Sequence, residues 1–211
     1  MVNLIGQSLG RYHIVEQLGE GGMASVFKAY DTSLERFVAV KVIRTDKGQD
    51  AAFLLRFQRE AKALARLDHP YILKVLDYGE QGGMPFLVMP FVPGGTLKDQ
   101  MGRPLPAARA AALLAPIARA LEYAHKQSII HRDIKPANIL IGPSGAPLLS
   151  DFGIAKMLDQ EEGSTQLTST GVGIGTPDYM APEQWMGQAD PRTDVYSLGV
   201  VFYEMVTGRK P

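Results

Sequence analysis

The sequence has no cysteine and a single tryptophan. Without thiols there can be no disulfide, no thiolate zinc site and no cysteine nucleophile, and the absence suits a reducing cytoplasm. Neither sign of charge is in excess: 22 Lys and Arg stand against 22 Asp and Glu, a formal net charge of zero. A balanced chain whose basic residues are scattered has no long-range attraction for nucleic acid or an anionic membrane. No apolar run approaches the ~18 uninterrupted residues of a transmembrane helix. Residues 1–10 lack the basic stretch followed by an apolar one that marks a signal peptide. The expectation is a cytoplasmic segment that binds no nucleic acid and makes no membrane contact over its own length, with an anchor beyond residue 211 left open.

What is present is ordinary for a folded protein: 45% hydrophobic and 21% charged residues. At roughly 100–200 residues per domain, 211 residues make one large domain or two small lobes. Tyr12, Ile14 and Val15 lead into Gly19, Gly21 and Gly22, after which Val26-Phe27 and the β-branched run Phe37-Val38-Ala39-Val40-Lys41-Val42 read as strands. Residues 50–67 change to helical period, with Phe53, Phe57, Ala61 and Leu64 three and four apart. Strand patterns return at 71–78 and 85–92, on either side of a Gly82-Gly83 turn. After Pro93-Gly94-Gly95 the composition shifts to helix. Residues 107–126 are Ala- and Leu-rich, with Pro116 expected to bend the helix. Ile139-Leu140-Ile141 and Pro147-Leu148-Leu149 read as short strands, and 157–176 as a long polar loop. Residues 195–206 are apolar almost all round, the pattern of a helix covered on every side.

The glycine cluster Leu18-Gly19-Glu20-Gly21-Gly22-Met23-Ala24-Ser25-Val26 lets backbone N–H groups approach a polyphosphate without Cβ obstruction, although a plain hairpin turn explains it as well. A dinucleotide fold would need a helix directly afterwards, and a Walker loop would need Gly-Lys-Ser/Thr. Both are absent. Lys41 sits inside an apolar strand, and Glu60 lies on the apolar side of the 50–67 helix. A carboxylate there needs a partner or an edge position reaching water, and Lys41 is the evident partner. The run His131-Arg132-Asp133-Ile134-Lys135-Pro136-Ala137-Asn138 carries five functional residue types at fixed spacing. Chance would produce that on the order of once in ten thousand chains of this length, at about 5% usage per type. Asn138 and Asp151 offer hard oxygen ligands suited to Mg²⁺. Asp133 can take a proton from a hydroxyl nucleophile, and Lys135 can neutralise a phosphate in transfer.

Glycine loop, residues 38–41, Glu60, 131–138, Asp151-Phe152-Gly153 and Ala181-Pro182-Glu183 stand in the order and spacing of protein kinase catalytic domains. The segments 175–183 and 194–199 extend the match, and Gly-Gly-Met at 21–23 is similar to the bacterial branch of eukaryotic-like Ser/Thr kinases. The resemblance covers residues 11–211. It implies an α+β, two-lobed protein kinase fold: an N-lobe at about 11–89 with an antiparallel sheet and one helix, a hinge at 90–93, and a mainly helical C-lobe from 94 to 211 lacking its last helices. It implies ATP and Mg²⁺ as cofactors, with Mn²⁺ as an alternative metal.

By the same resemblance Leu18, Gly19, Glu20, Gly21, Gly22, Met23, Ala24, Ser25 and Val26 cover the nucleotide. Lys41, held by Glu60, contacts the α and β phosphates, and Val26, Ala39 and Leu140 enclose adenine. Met89 is the gatekeeper, while the Pro90 carbonyl and Val92 N–H face the base. Asn138 and Asp151 hold the metal, Asp133 orients and deprotonates the acceptor, and Lys135 and Thr176 favour Ser/Thr acceptors. Ala24 replaces the family's third glycine, and Pro90 a commoner acidic residue. The alternative is a pseudokinase-like nucleotide-binding or scaffolding module, against which Lys41, Asp133 and Asp151 are all retained.

Arg132 beside Asp133 implies ordering by a phosphate on the activation loop. Thr168 and Thr170 are the implied phosphorylation sites, with Ser169 and Thr165 as weaker ones. Protein substrates bearing Ser or Thr are the implied partners, and homodimers formed through the N-lobe are common in the family. Glu183 pairs, in the family, with an arginine late in the C-lobe. With no such segment in these 211 residues, the expectation is exposed apolar surface and lower stability than a complete domain.

Overall fold

The computed structural model describes residues 4–21, 24–44, 50–152 and 177–211. The chain divides into two compact units, the first comprising Met1–Arg66 and Lys74–Phe91, the second Leu67–Leu73 and Val92–Pro211.

The first unit is a six-stranded antiparallel sheet with one helix. Its strands are β1 (Ser8–Leu9), β2 (Tyr12–Glu20), β3 (Ala24–Asp31), β4 (Arg36–Ile43), β5 (Asp77–Gln81) and β6 (Met84–Pro90), in the spatial order β1-β2-β3-β4-β6-β5. Strand β3 alternates half-buried and buried positions along its whole length, as a period-two strand with one covered face must. The covered side joins Leu9, Tyr12, Ile14, Phe27, Ala29, Val38, Val40, Val42, Phe86 and Val88 in one core. Helix α1 (Ala51–Ala65) starts at Asp50, whose side chain accepts the Ala52 N–H at 2.9 Å. It buries Phe53, Phe57, Ala61 and Leu64, the four residues at helical spacing in the sequence.

The strand expected at 71–78 forms mainly later, as β5. The backbone of the preceding residues is engaged in the second unit instead: the Leu73 N–H donates to Leu149 O and the Leu149 N–H to Tyr71 O, both at 2.8 Å. The Asp68 N–H donates to the Tyr123 hydroxyl there as well. These bonds explain why 67–73 belongs to the second unit although the chain around it belongs to the first.

The second unit begins with the one-turn helix α2 (Leu97–Gln100), closed by a Thr96/Asp99 capping box. Helix α3 (Ala107–Lys126) runs through Pro116 and buries Ala110, Leu114, Ile117, Ala120, Leu121 and Ala124. A 3₁₀ turn at Pro136–Asn138 leads into the hairpin β7 (Ile139–Ile141) and β8 (Pro147–Leu149). Further 3₁₀ turns cover Pro177–Tyr179 and Pro182–Met186 before helix α4 (Pro191–Thr207), which packs on α3. Helix α4 opens on an Asp190/Thr193 capping box with Pro191 in its first turn and stops at Gly208, whose φ of +74° few other residues adopt. It is not covered on every side: Val195 is 63% and Tyr196 47% exposed, with Tyr203 also exposed.

Candidate active site

In the first unit the β2–β3 hairpin carries the glycine loop. Gly19 pairs with Val26 and Glu20 with Ser25, and the Gly21 N–H donates to Ala24 O at 2.9 Å. A Cβ at Gly19 would meet nothing within 4 Å, so its backbone can be approached closely. Val26 lies opposite Lys41, and Ala39 opposite Met89. Residues 39 and 41 share one face of β4, so the sheet gathers Val26, Ala39, Lys41 and Met89 on one side. Pro90 ends β6. Glu60 is half-buried on α1. Gly22 and Met23 of the loop lie outside the described residues.

The second unit assembles the 131–138 segment around a buried aspartate. Asp194, in the first turn of α4, is fully buried. Its Oδ2 accepts the His131 N–H at 2.9 Å and its Oδ1 the Arg132 N–H at 2.9 Å. The His125 Nε2, from the last turn of α3, lies 2.8 Å from the same Oδ2. Arg132 has φ +65° and Asp151 φ +61°. A left-handed non-glycine backbone costs on the order of 1–3 kcal/mol and persists only where neighbours hold it. For Arg132 those neighbours are visible: Asp194 takes its N–H, and the Gln184 Nε2 donates to its carbonyl at 3.0 Å.

His131 is fully buried. Its Nδ1 accepts the Asp133 N–H at 3.2 Å, which leaves Nε2 to donate to Ser150 O at 2.8 Å. Both bonds suit the neutral ring. Burial is the main cause holding its pKa below the usual histidine range, opposed by the Asp194 charge. The ring packs on Phe152 with centroids 4.6 Å apart.

The Asp133 Oδ2 accepts from the Lys135 Nζ at 2.8 Å and from the Asn138 Nδ2 at 2.9 Å. The Asn138 Nδ2 also donates to Asp133 O at 2.7 Å. With its amide nitrogen committed to Asp133, Asn138 has Oδ1 as its ligand atom. Ser150 steadies the other side: its hydroxyl donates to Asn138 O at 3.1 Å, and its N–H donates to the same oxygen at 2.9 Å. The second unit therefore brings together Arg132, Asp133, Lys135, Asn138 and, through Ser150, Asp151. Leu140 follows in β7, and Val92 is the first residue of the unit's longer segment, Val92–Pro211.

Glu183 accepts from the Thr193 hydroxyl at 2.9 Å. Tyr179 is held by its hydroxyl donating to Glu204 and by the Ser197 hydroxyl donating to its carbonyl at 2.6 Å. Burial and the Glu204 carboxylate push the Tyr179 phenol well above its ordinary pKa. Thr165, Thr168, Ser169, Thr170 and Thr176, with Gly153, lie outside the described residues.

Sequence reasoning missed Asp194 as the hub of this network, and with it His125, Ser150 and Gln184. A carboxylate at the head of an apolar helix was the available signal, since burial there demands donors.

A family model described as "Protein kinase domain" matches residues 12–211. Serine/threonine-protein kinase PknB of Mycobacterium leprae is 46% identical over 208 residues, an alignment covering 95% of this chain and 33% of that protein. A probable serine/threonine-protein kinase of Clostridium perfringens, CPE1738, is 44% identical over 212 residues, covering 99% and 30%. The chain thus spans about a third of the length of the curated relatives it matches. Among solved structures, the PknI kinase domain of Mycobacterium tuberculosis superposes with a TM-score of 0.77 at 31% identity, covering 98% of this chain and 78% of that one.

Proposed function

The chain belongs to the protein kinase domain family, and from that premise we propose that it is a serine/threonine protein kinase that transfers the γ-phosphate of ATP to Ser and Thr hydroxyls of proteins, its own activation loop included. The observation that carries this reading is the Asp133–Lys135–Asn138 cluster, a carboxylate whose one oxygen is held by an ammonium and an amide.

The residues fit a metal-bound nucleotide. Asn138 and Asp151 supply hard oxygens, and among the described residues no group of three or more His, Cys, Asp or Glu forms an all-protein metal cage. Mg²⁺, which is bound through one or two protein oxygens with phosphate and water completing the shell, suits such a donor set, with Mn²⁺ as the alternative. The bound metal nucleotide supplies the phosphoryl group and spreads its charge.

The protein's own work is positioning and charge placement. Asp133 orients the acceptor hydroxyl and takes its proton. Lys135 stabilises negative charge beside it, and Asn138 and Asp151 hold the metal. Lys41, brought to Glu60, contacts the α and β phosphates, while backbone N–H groups of the glycine loop cover them. Val26, Ala39, Met89, Leu140, Pro90 and Val92 enclose and align adenine. Phosphate on Thr168 or Thr170 would pair with Arg132. No helix among the described residues is long and apolar enough to cross a membrane. A cytoplasmic location and homodimerisation through the first unit are part of the proposal.

The test is transfer from ATP and Mg²⁺ to mixed Ser, Thr and Tyr peptides. Label on Ser and Thr peptides, abolished in Asp133→Asn, supports the reading. Saturable ATP binding without transfer supports the scaffolding alternative.

A further inference from the structure

Arg44, the residue after β4, has no part in the chemistry described above, yet it grips the glycine loop. Its Nη1 lies 2.6 Å from the Glu20 Oε1, and its Nη2 donates to the Gly21 carbonyl. The sheet register shows what the grip does. Glu20, Ser25, Val42 and Phe86 form one cross-strand row, and Gly19, Val26, Lys41 and Leu87 form the next. Adjacent rows of a pleated sheet point to opposite faces. Val42 and Phe86 lie in the core on one face, and Lys41 is on the other. Arg44 follows Val42 by two residues, so it shares the face of Glu20. Glu20 is the one charged residue in the loop from 18 to 26.

We propose that Arg44 is a positioning residue for the nucleotide: it draws the Glu20 carboxylate and the Gly21 carbonyl toward the face opposite Lys41, away from the side on which the polyphosphate binds. The inference rests on the reading that this loop covers phosphates. A carboxylate released toward that side would repel the polyphosphate. The other described hold on Glu20 is a long 3.4 Å bond from the Gln17 amide. Both Arg44 and Glu20 are substantially exposed, 33% and 41% by side chain, so the pair adds little to stability. Its effect falls on nucleotide affinity.

The experiment measures KM for ATP, kcat and binding of a fluorescent ATP analogue in the parent, R44Q, R44E and the E20Q/R44Q double variant, beside their melting temperatures. A single charge about 10 Å from a phosphate, at an effective dielectric of about 30, changes affinity about five- to tenfold. R44Q should therefore raise KM for ATP about five- to tenfold at low salt, with kcat within about twofold and an unchanged melt. R44E should raise it further, and added salt should shrink the effect. E20Q/R44Q should recover most of the loss, because the repelling carboxylate is gone. An R44Q value of KM within about twofold of the parent's, or a double variant as impaired as R44Q, overturns the proposal. A parent that fails to bind the analogue overturns the nucleotide reading and this proposal with it, whereas normal parent binding with an indifferent R44Q overturns this proposal alone.

Discussion

Replacing Asp194 by Asn changes one atom in a fully buried side chain and should undo the hold on the 131–138 segment. The two carboxylate oxygens serve three groups: the N–H of His131, the N–H of Arg132 and the His125 ring. Asn keeps one acceptor oxygen and turns the other into a donor. Whichever way the amide is placed, one of the two backbone N–H groups faces an N–H. A hydrogen bond to a charged acceptor contributes about 1.5–3 kcal/mol, and a stranded buried donor costs about 1–3 kcal/mol. Together these put the loss at about 3–5 kcal/mol, which for a chain of this length lowers the melting temperature by on the order of 10 °C. The chemistry should suffer separately, because Arg132 would lose a bond that holds its φ at +65°. Asp133 follows it directly, so kcat should fall more than KM for ATP rises. Thermal melts and steady-state kinetics of Asp194→Asn, with His125→Ala as the variant that removes one partner only, measure both effects. A melt within about 2 °C of the parent, less than 1 kcal/mol on that scale, with unchanged kcat would show that Asp194 does not hold the segment.

Two further outcomes are expected. Burial keeps His131 neutral in the folded state with its pKa lowered, so its contribution is fully present above the unfolded value of about 6.5 and is lost as pH falls toward the folded one. The stability gap between the parent and His131→Phe, measured by urea unfolding, should narrow from pH 8 to pH 5.5; a constant or widening gap contradicts the assignment. A Cβ at Gly94 would lie 2.1 Å from Ile141 O, a backbone atom tied through the Ile141 N–H to Gly95 O at 3.0 Å. Gly94→Ala should destabilise by about 1–3 kcal/mol or more, and an unchanged urea midpoint would show that this approach is not close.

Local features were the legible ones. The spacing of Phe53, Phe57, Ala61 and Leu64 identified α1 and its buried stripe, and the apolar triplets at 139–141 and 147–149 are β7 and β8. The residues of the 131–138 motif were readable because their spacing is local. Their supports were not. Asp194 lies more than 60 positions from the N–H groups it accepts, and Gln184 more than 50 from the Arg132 carbonyl. No periodicity encodes such pairs. The 71–78 run misled over its first half because an apolar run fits a strand, whereas the backbone of Tyr71 and Leu73 bonds to Leu149; bonding to β6 begins at Leu76, whose N–H donates to Val88 O. Arg44 escaped notice because its partner Glu20 lies on β2, across β3, and only the register shows which face the two share.

If Asp133, Lys135, Asn138 and Asp151 act as proposed, the chain transfers phosphate to its own hydroxyls. Intact-mass measurement after incubation with ATP and Mg²⁺, beside Asp133→Asn, tests it most directly. Phosphoryl additions should appear on the parent, located at Thr168 or Thr170, and none on the variant. A parent mass that does not change, or equal additions to both proteins, would contradict those roles.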